Sequence, residues 1–300
     1  MHVTWIQRSV FMNSTLIDLT DKLPNGMANI YQEVYEVASQ FQLDVIVVGA
    51  MARDLVLVHG FDARLERGTR DVDFAVKVKD WKAFQKLSAG LIERGFTKAD
   101  KLAHRFYLND EEGLRWEVDI LPFGELADEN GCIKWPPDES IEMSVLGFDE
   151  AFDHSLTVQL GDSDSQFSVK VAAPASMVFL KLISWLEREP AIRTKDAKDI
   201  RYLMRTYSKI PAVLDRMYDE DHMETQGWDE LRASASILGR DAASQLSQRV
   251  FGYLNDELFS KPEKLDILLR EMAGSSQDQD YEVSELKVFV DSLISLSFKA

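Results

Sequence analysis

Met27, Ile30, Tyr31, Val34, Tyr35, Ala38 and Phe41 recur at three- and four-residue spacing, which predicts a helix over residues 25–41 with one apolar face. The next run, LDVIVVGA, is continuously apolar, rich in β-branched residues and closed by Gly49, as expected of a central strand covered on both faces. AMARDLVLVHG then predicts a helix stopped by Gly60, and TRDVDFAVKV a second, alternating strand. In DWKAFQKLSAGLIERGF, Asp80 suits an N-cap, Trp81, Phe84, Leu87 and Leu91 share a face, and Gly95 ends the helix. HRFYL and LRWEVDIL predict two more strands joined by the turn NDEEG.

After Pro122 the pattern changes. PFGELADENGCIKWPPDES predicts a loop, in which Trp135 beside two prolines is a candidate for stacking a base. SLTVQL and FSVKVA around GDSDS predict a hairpin, and Pro174 opens a helix at the position proline favours. From there the signal is helical to VSELKVFVDSLISLSF, with the acidic GSSQDQDYE expected as an exposed linker. The expected class is α+β: an arm over residues 1–24, a mixed β-sheet flanked by helices over 25–172, and an α-helical C-terminal domain over 173–300.

Composition narrows the function. Arg and Lys number 34 against 51 Asp and Glu, a net charge of -17 that excludes a general polyanion binder. The exception is local: residues 61–105 carry eleven Lys or Arg against seven Asp or Glu. A single cysteine, Cys132, excludes a disulfide framework and a cysteine-based zinc cluster, and fits a cytoplasmic protein. His59, His104, His154 and His222 lack the i,i+4 pairing of a zinc site, and no apolar run approaches membrane-spanning length.

The candidate chemistry lies in TRDVDFAV. Side chains two apart on a strand face the same way, so Asp71 and Asp73 project together, about 7 Å apart at the backbone. Two carboxylates this close invite a hard divalent cation, and Mg²⁺, which keeps waters and accepts phosphate oxygens, is the natural one, with Mn²⁺ as the alternative. A two-metal phosphoryl-transfer site needs a third acid from a neighbouring strand. In LRWEVDILPFG, Arg115, Glu117 and Asp119 share a face; Asp119, placed near the strand end by the following Pro122, is preferred, with Glu117 as the fallback. Arg70, just before the acids, is placed either to meet phosphate or to pair with Asp71.

The series VVGAMARDLVLVHG, TRDVDFAVKV and WEVDILPFG resembles the nucleotidyltransferase core of the DNA polymerase β-like superfamily. The long gap between glycine turn and D-x-D is similar to the head domain of tRNA CCA-adding and poly(A) polymerases. The helical FLKLISWLEREPAIRTKDAKDI downstream resembles AbiEii-type nucleotidyltransferase toxins of toxin–antitoxin systems, whose role is phage defence. The resemblance covers about Val45 to Tyr207.

It implies that Asp71, Asp73 and Asp119 are catalytic and hold Mg²⁺, while Gly49, Ala50, Arg53 and Arg70 meet the triphosphate of an NTP such as ATP. Ala50 stands where the family has Ser or Gly after the glycine, so a phosphate-binding hydroxyl is missing and Arg53 is the candidate replacement. Lys181 and Lys195 would reach triphosphate, with Arg188 beside them and Asp196 orienting a basic group. The implied reaction moves an NMP to an acceptor hydroxyl, a tRNA 3′ end first, with an antitoxin as protein partner and no membrane involved. A protein or small-molecule acceptor stays open, as does a catalytically weak binding or regulatory module.

Overall fold

The computed structural model describes residues 16–66, 68–274 and 279–297. The chain divides into two compact units: one runs to Ala173 without Phe61–Arg64, and the other comprises Phe61–Arg64 and the chain from Pro174 onward. Among the described residues no helix is long and apolar enough to cross a membrane.

Among the described residues the first unit has ten strands: β1 Ile17–Asp18, β2 Asp44–Val48, β3 Asp71–Lys77, β4 Thr97–Lys98, β5 Arg105–Asn109, β6 Arg115–Phe123, β7 Cys132–Trp135, β8 Ile141–Ser144, β9 Leu156–Gly161 and β10 Gln166–Val171. Eight form one mixed sheet in the order β1-β9-β10-β2-β3-β6-β5-β4, and β7 and β8 pair separately. Its first helix, α1 (Asn25–Gln40), covers one face, and the Tyr31 and Tyr35 rings meet Phe74 edge-on at 5.8 and 6.4 Å. β2 and β10 touch at a single register pair, Val47 with Val171. The Tyr35 hydroxyl bridges the opening between them, lying 2.9 Å from the Val45 carbonyl and accepting from the Lys170 amide at 2.7 Å. Phe74, Val72 and Val76 are fully buried, so the opposite face of β3 is the one carrying Asp71 and Asp73.

Several expectations change. Ile17 and Leu19 are buried and β1 pairs in parallel with β9, so the described part of the expected arm belongs to the sheet, while residues 1–15 lie outside the described residues. The helix after Gly49 is α2 (Gly49–Arg53) followed by π-helical turns over Asp54–Gly60. The expected loop after Pro122 contains β7, which pairs with β8 just beyond the loop, because Ile133 and Trp135 alternate inward while Lys134 points to solvent. β6 continues past Asp119 to Phe123, so Asp119 sits mid-strand rather than near its end. Pro122 is tolerated there because β5 pairs with β6 only as far as Asp119; the Ile120 amide reaches the His104 carbonyl at 2.8 Å, and two residues on the proline nitrogen points to an edge with no strand to receive a donor. The helix α3 (Trp81–Glu93) has the expected cap, Asp80 accepting from the Ala83 amide at 2.8 Å.

The second unit is helical: α5 Pro174–Glu187, α6 Pro190–Thr206, α7 Pro211–Asp219, α8 His222–Thr225, α9 Glu230–Gln245, α10 Gln248–Leu254, α11 Pro262–Ala273 and α12 Gln279–Ser297, the first unit having contributed α4 at Phe148–Asp153. Of the expected linker, residues 275–278 lie outside the described residues and Gln279 already begins α12. The bodies of α9 and α12 come together at Gly239, where an added Cβ would lie 2.5 Å from the Phe289 carbonyl oxygen. Replacing glycine by alanine inside a helix ordinarily adds about 1 kcal/mol. At Gly239 the backbone contact reverses that sign, and Gly239→Ala is expected to lower stability by about 1–3 kcal/mol in urea denaturation. Gly252→Ala in α10, where an added Cβ meets open space, should instead be neutral or stabilising; equal behaviour of the two variants would refute the close approach.

Candidate active site

Parallel pairing of β3 with β6 sets Asp73 opposite Asp119 and Asp71 opposite Glu117. Antiparallel pairing of β6 with β5 extends each row, Arg105 beside Asp119 and Tyr107 beside Glu117. Neighbouring strands are about 4.8 Å apart, so four carboxylates crowd one patch of the sheet face opposite Phe74. Like charges directly opposite one another on a sheet are destabilising. At an effective dielectric constant near 20, each pair at about 7 Å costs about 2 kcal/mol.

Arg105 answers part of that charge. Its Nε and Nη2 donate to Oδ1 and Oδ2 of Asp119, both at 2.8 Å, and Nη1 donates to Glu117 at 2.5 Å. The hydrogen bonds to Asp119, the charge of Asp119 and Glu117, and the nearby Asp71 hold this guanidinium above the ordinary arginine range. His104 beside it is pushed below the usual imidazole range by burial, with the Arg105 charge adding to that and Asp119 opposing it. Arg105 was not among the residues singled out in the sequence. The hairpin arithmetic contains it: Asn109 pairs with Arg115 across the NDEEG turn, so stepping outward by two brings Tyr107 to Glu117 and Arg105 to Asp119.

At the other side of the row, Val48 pairs with Asp73 and the chain turns at Gly49. Gly49 has φ 72°, and a Cβ there would overlap Oδ2 of Asp73. Both facts demand glycine: the left-handed backbone and the close seat of the Asp73 carboxylate over the turn. Ala50 follows as the second residue of α2 and is half-buried.

Other expected residues fall elsewhere. Arg53 is 4% exposed and its guanidinium contacts Asp54, Nε donating to Oδ1 at 2.8 Å, so it is turned into the protein instead of lying open beside Ala50. Arg70 is exposed and makes no ion pair with Asp71 among the described residues. Trp135 is buried among Trp81, Phe84 and His104, at 5.0, 5.5 and 5.8 Å between rings, which removes it as a base-stacking platform. In the second unit Asp196 is fully buried and receives Lys181 at 3.1 Å and Arg188 at 2.6 Å, while Lys181 also reaches Asp199 at 2.8 Å. Asp196 thus fixes two basic side chains, and Lys195 stands exposed next to it.

Among the described residues, no group of three His, Cys, Asp or Glu side chains is arranged to hold a metal ion. The donor chemistry nevertheless suits a hard cation: Asp71 is exposed, Asp73 half-exposed, and both offer carboxylate oxygens on one face. Asp119 is 12% exposed on its side chain, and Arg105 engages both of its oxygens, so a cation there would compete with the guanidinium for them.

Residues 34–287 match the family described as "Nucleotidyl transferase AbiEii toxin, Type IV TA system". Solved structures similar to the chain include the antibiotic-resistance factor ANT(2'')-Ia, at 14% identity over 68% of this chain and 100% of that one, TM-score 0.35. The lincosamide antibiotic adenylyltransferase LnuA, in its lincomycin-bound form, matches at 16% identity over 59% and 94%, TM-score 0.33. The Thermotoga maritima CCA-adding enzyme complexed with tRNA matches at 11% over 92% and 84%, TM-score 0.25. Among curated proteins, none matches the chain.

The coupling of Arg105 to Asp119 is measurable. Arg105→Gln leaves a half-buried carboxylate cluster without its counter-charge and is expected to cost about 1–3 kcal/mol in denaturant unfolding. Asp119→Asn in the same chain should recover part of that loss, giving a double-mutant coupling of about 1 kcal/mol or more. Additive losses would show that the two side chains do not act together.

Proposed function

The chain belongs to the AbiEii nucleotidyl transferase toxin family, and from that premise we propose that it transfers an NMP from an NTP to a tRNA 3′ hydroxyl with release of pyrophosphate. The observation carrying this reading is the register that seats Asp73 between Gly49 and Asp119 on an open sheet face, with Asp71 one step along the strand. Asp71 and Asp73 would hold Mg²⁺, or Mn²⁺, which when bound supplies charge neutralisation at the triphosphate. Asp119, released by Arg105, would accept the proton of the attacking hydroxyl. The hydroxyl oxygen forms a bond to the α-phosphorus, the bond from that phosphorus to the bridging oxygen breaks, and the electron pair leaves with pyrophosphate.

The Gly49 turn lets the backbone approach the triphosphate, and Ala50 leaves room without adding a hydroxyl. Arg70, exposed just before the acids, is available to a phosphate, whereas Arg53 would have to leave Asp54 to reach one. The family resemblance assigns phosphate contacts to Lys181, Lys195 and Arg188 as well, and within the helical unit Asp196 holds Lys181 and Arg188 in position. The tRNA acceptor rests on the likeness of the glycine turn and D-x-D strand to CCA-adding head domains. A cognate antitoxin, a cytoplasmic site of action and a role in phage defence follow from the toxin family.

A second reading is favoured by one observation: Arg105 engages both Asp119 oxygens, as in a module that binds nucleotide and turns over little. NTP affinity with and without Mg²⁺ separates the two, because a degenerate module should show little metal-dependent affinity. The direct test incubates the protein with each labelled NTP, Mg²⁺ or Mn²⁺, tRNA and cell extract. Label is expected in tRNA and should fall at least 10³-fold in Asp71→Asn with Asp73→Asn. Label in a protein or small molecule would replace the acceptor; transfer unchanged by the double substitution would refute the site.

A further inference from the structure

β3 ends at Lys77, four residues and about 13 Å beyond Asp73. There a cavity of about 620 Å³ opens between the end of α1, the end of β3 and the first turns of α3. Lys77, Lys79, Lys82 and Lys86 line it against two carboxylates, Asp80 and Glu125. The acids and one lysine are partly accounted for: Asp80 caps α3, and Lys77 meets Asp149 at 2.8 Å. Lys79, Lys82 and Lys86 are exposed and form no ion pair among the described residues, with Lys82 and Lys86 one helical turn apart.

Three unpaired ammonium groups around one cavity repel each other and lower the cost of bringing an anion there. In a chain of net charge -17 such a place is exceptional, and it accounts for part of the local positive surplus in residues 61–105. The cavity wall also includes Phe41, 38% exposed, a flat apolar surface beside the lysines. Flexible ammonium groups beside an exposed ring suit a phosphodiester backbone carrying bases: point charges for phosphate and a stacking surface indifferent to sequence. A volume of 620 Å³ lies within the range of sites that enclose a small-molecule-sized group.

We propose that this lysine-lined cavity, at the end of β3 away from the carboxylates and beside the helices that cover the Phe74 face, binds backbone phosphates of the acceptor nucleic acid. The choice of acceptor rests on the transfer reading above, but the binding itself does not. Its test is therefore made without NTP and in EDTA, by fluorescence anisotropy of labelled bulk tRNA at several KCl concentrations. The wild type is compared with Lys79→Gln/Lys82→Gln/Lys86→Gln and with the corresponding triple Glu variant, all checked for unchanged thermal unfolding. The Gln variant should bind at least tenfold more weakly at low salt, and the slope of log affinity against log salt should fall by about 2, as expected for three lost contacts to single strands.

Inorganic phosphate and ATP at micromolar concentration should not displace the tRNA; displacement by either would assign the cavity to a free phosphate and overturn the proposal. Unchanged affinity and slope in both triple variants, or no tRNA binding by the wild type, would overturn it as well. Asp71→Asn with Asp73→Asn should leave tRNA binding undiminished. If the double Asp variant loses transfer while the lysine variants bind tRNA normally, the cavity assignment fails and the transfer reading stands. If the lysine variants lose tRNA binding but label enters a protein, the cavity assignment stands and the tRNA acceptor fails.

Discussion

The pairing of β3 with β6 in one register forces Asp71, Asp73, Glu117 and Asp119 together, and the chemistry of this end of the sheet is a response to that crowding. The buried side of the same strands cannot relax it. Val72, Phe74, Val118 and Ile120 are fully buried, and a slip by one residue would send them to solvent and the acids into the core. Hydrophobic packing therefore holds the like charges in place, and the charge must be offset on the open face. The Arg105 fork on Asp119 does so on one flank, while on the other the Gly49 turn, stripped of a side chain, makes room for Asp73.

Arg105 gives the site two electrostatic states. With its guanidinium on Asp119, the row contains an internal ion pair, and Asp71 and Asp73 are the acids that Arg105 does not hydrogen-bond. With the guanidinium withdrawn, three acids face the same space. Geometry makes the first arrangement strong, because both oxygens are engaged by parallel donors and the pair is mostly shielded from water. Anything that recruits Asp119 must compensate the lost pair, so the third acid is engaged at a cost the first two do not carry.

Much of this was legible before the coordinates. Alternation in LRWEVDIL separates Trp116, Val118 and Ile120 from Glu117 and Asp119, and the structure has that division. The α+β class, the Asp80 cap and the hairpin around GDSDS are also as the pattern implies. What the pattern hid was long-range. Whether β6 lay parallel beside β3 depended on sheet order, which no local period encodes. Arg53 looked available because its position beside a glycine turn says nothing of the buried Asp54 next to it. CIKW read as loop because four residues between prolines and an acidic turn carry too little alternation to outweigh their flanks, although Trp135 packs on Trp81 and Phe84. The glycine turn and D-x-D are local signals of the site; the company Asp119 keeps is not.

Pro122 has a consequence beyond β6. Past Asp119 that strand has β3 on one side and, among the described residues, no sheet partner on the other, yet Ile120, Pro122 and Phe123 are buried there. An open edge is a template for a strand of another chain, and here the protein's own packing covers it. The same residue that lets the strand run on past the acids thus spares a covered edge one buried donor that no neighbouring strand would receive.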